Sequence, residues 1–332
     1  MKEISVKPYL LVAPTLMALT ACGGSSDKST ALFAVDTGVP NAALASGTTF
    51  ETQSATLNAI KMSYRDDTAE LVSEPVTIKL SQDADGTILL TYGDQKFEFG
   101  EDAKVIEDDG KSYGFEKDIA VKDGSGEIEY IGLWSQEGEL DEVLAVDRED
   151  YAQVWMVWMC TQGAPCEQTH FVVGSETKSE ALGSFTSEDY EGFAYTEVRN
   201  VEGDPNARST VRFEDTTLSV NFTENKVTGV LGGTQTRDRV KNSDSWKWEE
   251  YQDSTATFLI KDGTISGNGF TADIVSDEIL TAGDINVSGV MNGKFYGPEA
   301  EQVAGTMSGD ISVGEDYNGV WAGWFDADRP TE

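Results

Sequence analysis

The sequence predicts an all-β protein in two parts. A mostly antiparallel β domain spans residues 32–182, and a set of longer antiparallel strands spans residues 183–327. Three observations predict it. Apolar and polar residues alternate with a period of two, as in Leu218, Val220 and Phe222 against Ser219 and Asn221. Turn dipeptides punctuate the runs, as at Gly93-Asp94 and Lys261-Asp-Gly263. The run Val154-Trp-Met-Val-Trp-Met-Cys160 is apolar on both faces, which suits a strand covered on both sides.

The chain opens on a processing segment, Met1–Ala21. Lys2 and Lys7 give a positive start, and Tyr9–Leu19 is apolar but too short to span a bilayer. Leu19-Thr-Ala-Cys22 looks like a bacterial lipobox. In that chemistry Cys22 becomes the acylated N-terminus, carrying fatty chains of the palmitate type. Two or three chains anchor a protein stably where one does not. Residues 22–31 are Gly/Ser-rich and polar, which reads as a flexible tether. Gly23 and Gly24 follow the cysteine with no aspartate beside it, which by analogy with known lipoproteins favours the outer membrane.

The 332 residues carry a formal charge of −35. Such a body repels nucleic acid and anionic headgroups, so neither is an expected partner. The bland reading of the charge is solubility, and the sharper one is steering of a cationic partner.

In the first domain, Val76–Leu80, Thr87–Tyr92, Lys96–Phe99, Ile128–Trp134 and Val154–Cys160 read as strands, with a turn at Gln82–Gly86. Trp155 and Trp158 read first as core and second as a partner surface. Cys160 and Cys166 bracket Thr-Gln-Gly-Ala-Pro, a turn-prone spacer, and are expected to form a structural disulfide.

From Gly183 the candidate strands are Phe185–Val198, Thr210–Phe222, Lys226–Thr236, Trp246–Ile260, Thr264–Val275, Asn286–Tyr296, Gln302–Ile311 and Gly319–Phe325. Lys261-Asp-Gly263 is expected as the hairpin turn between two of them. Eight strands of this length can close into an up-and-down barrel, although the pattern also allows an open sandwich. Gly297-Pro298 should end a strand, because Pro298 has no N–H to donate.

No residues point to catalysis. The only histidine, His170, lacks the partners of a triad, a zinc site or bis-histidine haem ligation. No nucleophile elbow, phosphate loop or dinucleotide fingerprint occurs. The chain is therefore expected to be no enzyme and to hold no metal or cofactor of its own.

Gly293, Phe295, Tyr296, Gly297, Pro298, Ala300, Gln302 and Gly305 carry a pattern that resembles the C-terminal barrels of transferrin-binding protein B and its relatives, surface lipoproteins of Gram-negative bacteria. Thr257–Phe270, ending in Gly-Asn-Gly-Phe, and Asn318–Gly323 resemble two further blocks of that family. Ala304 and Met307 depart from it, where a glycine and an aromatic are usual. The resemblance covers about the last 145 residues. It implies an N-terminal handle domain followed by an eight-stranded antiparallel barrel. It also implies capture of a metal- or haem-carrier protein for an outer-membrane transporter, with iron or haem only as cargo.

Binding in such a lobe is expected from loops on a rigid scaffold, here Val198–Ser209 and the Arg237–Tyr251 hairpin. Trp246, Trp248, Arg237 and Arg239 are the candidate contacts. The two tryptophans have a second reading, as barrel wall. The rival function classes are a structural or adhesive coat lipoprotein and a periplasm-facing solute-binding lipoprotein. Iron-regulated expression and retention of a carrier would separate a receptor from a coat, and protease resistance on whole cells would mark a periplasmic protein.

Overall fold

A computed structural model of the chain describes residues 49–54, 59–63, 68–72, 76–82, 87–100, 104–108, 112–118, 128–135, 151–161, 166–174, 176–201, 208–242, 245–277, 285–313 and 317–330. The processing segment, Cys22, the tether and residues 83–86 of the first turn lie outside the described residues.

The first strands are β1 (Thr49–Ser54), β2 (Ala59–Ser63), β3 (Thr68–Val72), β4 (Val76–Gln82), β5 (Ile88–Tyr92), β6 (Gln95–Phe99), β7 (Lys104–Asp108), β8 (Ser112–Asp118), β9 (Ile128–Ser135), β10 (Ala152–Thr161) and β11 (Cys166–Gly174). A one-turn helix follows, α1 (Ser179–Leu182). Then come β12 (Ser187–Asn200), β13 (Arg208–Asn221), β14 (Lys226–Asn242), β15 (Ser245–Trp248), β16 (Gln252–Asp253), β17 (Phe258–Ser266), β18 (Gly269–Ser276), β19 (Ile285–Tyr296), β20 (Gln302–Val313) and β21 (Tyr317–Asp328).

The early strands make two sheets. One runs β1-β4-β5-β6 and the other β3-β2-β11-β10-β9-β8-β7. Ile78, Leu80, Ile88 and Leu90 of the first pack on Ile131, Leu133, Trp155 and Phe171 of the second. Burying an aliphatic or aromatic side chain of this size is worth about 1.5–3 kcal/mol. The Gly93-Asp94 turn forms as expected, with Tyr92 opposite Gln95 and Gly93 at φ +59°. Strand β10 is covered on both sides. Trp155 and Val157 face the smaller sheet, whereas Val154 and Trp158 face the barrel. Cys160 and Cys166 lie opposite each other on β10 and β11 and are joined by a disulfide.

The later strands close a ring, β12-β13-β14-β17-β18-β19-β20-β21, with β21 paired back onto β12 and every pairing antiparallel. This eight-stranded barrel leaves no open edge within its ring, so the open sandwich that the pattern allowed is not formed. Leu218, Val220, Phe270, Met291, Phe295, Met307 and Phe325 fill the interior. Thr217, Ser219, Thr228, Thr271 and Asp273 stand exposed outside. Apolar inside and polar outside is the reverse of a transmembrane barrel.

Two expectations are corrected. Lys261-Asp-Gly263 is a bulge inside β17, where Lys261 and Asp262 together oppose Thr228 of β14. Asp262 takes φ +53°, and a Cβ on Gly263 would come within 2.4 Å of the Val227 carbonyl oxygen. The turn falls instead at Gly267-Asn268, with Ser266 opposite Gly269. A positive φ of +65° at Gly267, the first central residue, matches the type II′ geometry that suits strand twist. The single strand expected over Trp246–Ile260 is also absent. That stretch breaks into β15, β16 and the start of β17, while β14 runs on past Thr236 to Asn242.

The Gly297-Pro298 break occurs as expected between β19 and β20. Gly297 takes φ +85° and Ala300 φ +55°. The Tyr190 hydroxyl donates to the Ala300 carbonyl (2.7 Å) and the Thr177 hydroxyl to the Gly297 carbonyl (2.6 Å), so the turn is pinned. Gln302, just after it, is fully buried. Its Oε1 accepts from the backbone N–H groups of Tyr151 (2.6 Å) and Ala152 (2.7 Å), and its Nε2 donates to Asp326 Oδ1 (2.8 Å). One amide thus ties β10 to β20 and β21. Around it Val154, Val172, Phe193, Tyr195, Tyr296 and Trp324 form the apolar joint between the seven-stranded sheet and the barrel wall.

Candidate functional site

At the end of the barrel opposite Gln302, β14 outgrows the ring. Its upper half pairs with the start of β13 on one side, from Arg208 opposite Arg239 to Phe213 opposite Thr234. On the other side it pairs with β15 and β16. The result is a flap above the mouth of the barrel. The period-two alternation that fills the interior with Val211 and Phe213 sends Arg208, Thr210 and Arg212 to the outer face. Across β14 the same face receives Gln235, Arg237 and Arg239.

Trp246 and Trp248 lie on that outer face, half-buried, and not inside the barrel. Trp248 sits between two guanidinium groups, Arg208 at 5.0 Å and Arg237 at 4.7 Å from the ring centre. Tyr251 sits between Arg237 at 4.4 Å and Arg212 at 4.0 Å. Lys241 lies 6.0 Å from the Trp246 ring. Cations over ring faces at these distances gain from about 0.5 to 2 kcal/mol each, more as water is excluded. Thr210 is fully buried beneath the stack; its Oγ1 accepts from Arg237 Nε (3.2 Å) and bonds the Tyr251 hydroxyl (3.2 Å).

The stack is rooted in a buried ionic cluster. Glu197 on β12 pairs with Arg199 on the same strand and with Arg208 Nη1 at 3.0 Å. Burial alone would raise the Glu197 pKa, but Arg199 and Arg208 outweigh it and hold the carboxyl below its usual range. His170 on β11 faces this cluster and is 1% exposed. Burial lowers its pKa from 6.5 to about 4, with Glu197 opposing the shift, so its imidazole is neutral. Gln168 Nε2 lies 3.2 Å from its Nε2. This is the surrounding of a structural histidine. Among the described residues no group of three or more histidine, cysteine or carboxylate side chains is placed to hold a metal ion.

Inside the barrel, toward the flap end, an apolar cavity of about 30 Å³ is lined by residues that include Val198, Val211, Phe213, Phe258, Ile274 and Trp321.

The expected site residues Trp246, Trp248, Arg237 and Arg239 are thus brought together on one face. Arg208, Arg212, Tyr251 and Glu197 join them and were not anticipated. The readable signal was the alternation of basic residues at 208 and 212 and again at 237 and 239. The family-pattern residues Gly293, Phe295, Tyr296, Gly297, Pro298, Ala300 and Gly305 lie elsewhere, in the barrel wall and its far turn. Phe295 fills the core, Tyr296 the joint, and a Cβ on Gly305 would come within 2.0 Å of the Asn292 carbonyl oxygen.

Residues 174–329 match a family model described as the C-lobe and N-lobe beta barrels of Tf-binding protein B. No curated protein sequence matches the chain. Among solved structures, a tryptophan-to-alanine variant of transferrin-binding protein B from Haemophilus parasuis Hp5 aligns at 15% identity over 83% of this chain and 46% of that one, with a TM-score of 0.37. The isotype 1 transferrin-binding protein B of serogroup B Neisseria meningitidis aligns at 13% identity over 83% of this chain and 44% of that one, with a TM-score of 0.33. HpuA from Kingella denitrificans, solved in complex with human haemoglobin, aligns at 14% identity over 86% of this chain and 87% of that one, with a TM-score of 0.30. The chain spans less than half the length of the transferrin-binding protein B structures. Residues 174–329 are a transferrin-binding protein B-like barrel, preceded by a smaller region of packed sheets.

Proposed function

We propose that this chain is a lipid-anchored, outer-membrane binding protein of the cell surface, which captures a carrier protein or an iron- or haem-related ligand at the mouth of its barrel without catalysing a reaction. The observation that supports this reading is the flap. It projects beyond a closed, polar-faced barrel and carries Trp246, Trp248, Tyr251 and four arginines on its outer face. Arginine, tryptophan and tyrosine are the usual anchors of protein interfaces. Acylation at Cys22 would supply the membrane anchor, residues 22–31 the tether, and an outer-membrane transporter the recipient of any cargo.

The test uses the full chain expressed in a Gram-negative host. Protease added to intact cells should remove it, and cells displaying it should retain human haemoglobin or human transferrin. The pair Trp246→Ala with Trp248→Ala should lose that retention with a thermal midpoint within a few degrees of the parent, since both side chains lie outside the core. Protection from protease together with retention of neither carrier would overturn the reading.

A further inference from the structure

The flap's outer face concentrates the chain's arginines. Arg208 and Arg239 are direct cross-strand partners, a placement of like charges that weakens a sheet. Four of the chain's eight arginines, Arg208, Arg212, Arg237 and Arg239, share this face, in a protein whose net charge is −35. Three of them alternate with two rings in the order Arg208, Trp248, Arg237, Tyr251, Arg212. An apolar cross-strand zipper would hold β15 and β16 down without gathering positive charge. Among the described residues the only exposed large hydrophobics, Val201 and Val240, lie at this same end of the barrel.

We infer that the outer face of the flap docks a carboxylate-rich stretch of a partner protein. The inference rests on the reading of the chain as a binding protein and specifies the partner's chemistry. A ring lying against a guanidinium uses its faces, while its N–H donors lie in its plane and match a carboxylate's two oxygens. The rings exclude water from one side of that pair and strengthen it. The pedestal is preset. Thr210 fixes Arg237 and Tyr251, and buried Glu197 fixes Arg208, so little side-chain freedom is lost on docking. Exposed Glu249, Glu250 and Asp253 stand on the same flap and compete for its arginines, so an incoming stretch must bring several carboxylates at once. At about 0.1 M salt the screening length is about 10 Å, which hides the body's more distant carboxylates but not pairs in contact.

The experiment uses the full chain in nonionic detergent at that salt. A fluorescein-labelled poly-glutamate peptide serves as probe, a polyserine peptide of equal length as control, and lipopolysaccharide micelles as the rival anion. Saturable binding of poly-glutamate but not polyserine is expected, weakened roughly tenfold or more in Arg212→Gln with Arg237→Gln. Arg237→Lys, which keeps the charge and loses the planar fork, should fall between them. An unchanged far-ultraviolet spectrum and melting curve would show that the variants fold. Absence of saturable poly-glutamate binding, equal binding by the double variant, or arginine-dependent binding of lipopolysaccharide alone would overturn the inference. Cells that retain haemoglobin or transferrin equally well with the arginine variants would leave the carrier reading standing and remove this surface from it. Poly-glutamate binding without retention of either carrier would do the reverse.

Discussion

His170 shows how much one buried side chain can weigh. Its imidazole is neutral in the fold with a pKa near 4, but in the unfolded chain it protonates near 6.5. The unfolded state therefore binds the extra proton first as pH falls. The stability that the neutral imidazole represents is complete above pH 6.5 and drains away between there and about pH 4. Glu197, held ionised by Arg199 and Arg208, adds a loss in the same direction at the acid end. Urea unfolding should show the parent losing about 2 kcal/mol more than His170→Gln between pH 7 and pH 4.5, the window set by that single shift. Equal pH slopes for the two proteins would mean that His170 is not kept neutral. Because the chain has only one histidine, its imidazole protons can be followed without assignment.

The β10–β11 hairpin is the element whose prediction is simplest. Its Cys160–Cys166 bridge closes a loop with a sequence separation of six. A loop that short gives a chain-entropy contribution of about 2 kcal/mol. Replacing both cysteines with serine should lower the unfolding free energy by that amount in denaturant titrations and leave the strand signal in circular dichroism intact. A midpoint unchanged by the double replacement would show that the hairpin's own pairing already restrains the unfolded chain. The first strand and the bridge were legible in the sequence because their signals are local: an apolar run, a turn-prone spacer and an even cysteine pair. The Gly93-Asp94 turn and the Gly297-Pro298 break were legible for the same reason. The returning strand β11 was not anticipated, because Glu167, Gln168 and His170 interrupt its apolar pattern. Nor was the Lys261-Asp-Gly263 bulge. A left-handed residue followed by glycine suits a hairpin turn and a bulge equally well, and only pairing with β14 and β18 decides between them. The flap hid itself in a similar way. Arg208 and Arg212 meet Trp248 and Tyr251 about forty residues further along, and the unpatterned Glu249-Glu250 step conceals the break between β15 and β16.

At the scale of the whole molecule, a net charge of −35 means that the folded chain repels itself. Salt shortens the range of that repulsion more than it weakens buried pairs such as Glu197 with Arg208. Raising sodium chloride from a few millimolar to about 0.5 M should therefore raise the thermal midpoint, by roughly 2–4 °C for each kcal/mol of repulsion relieved. A midpoint that falls with salt would show that attractive surface pairs outweigh the net charge. The Gln302 amide has an effect at this scale too. It grips the backbone of β10 with one atom and a barrel carboxylate with the other, at the foot of the strands whose tops adjoin the flap. Whatever lands on those tops meets a stiff stem in place of a hinge: its orientation is set by the lower sheets, and any tug on it travels down the staves into them.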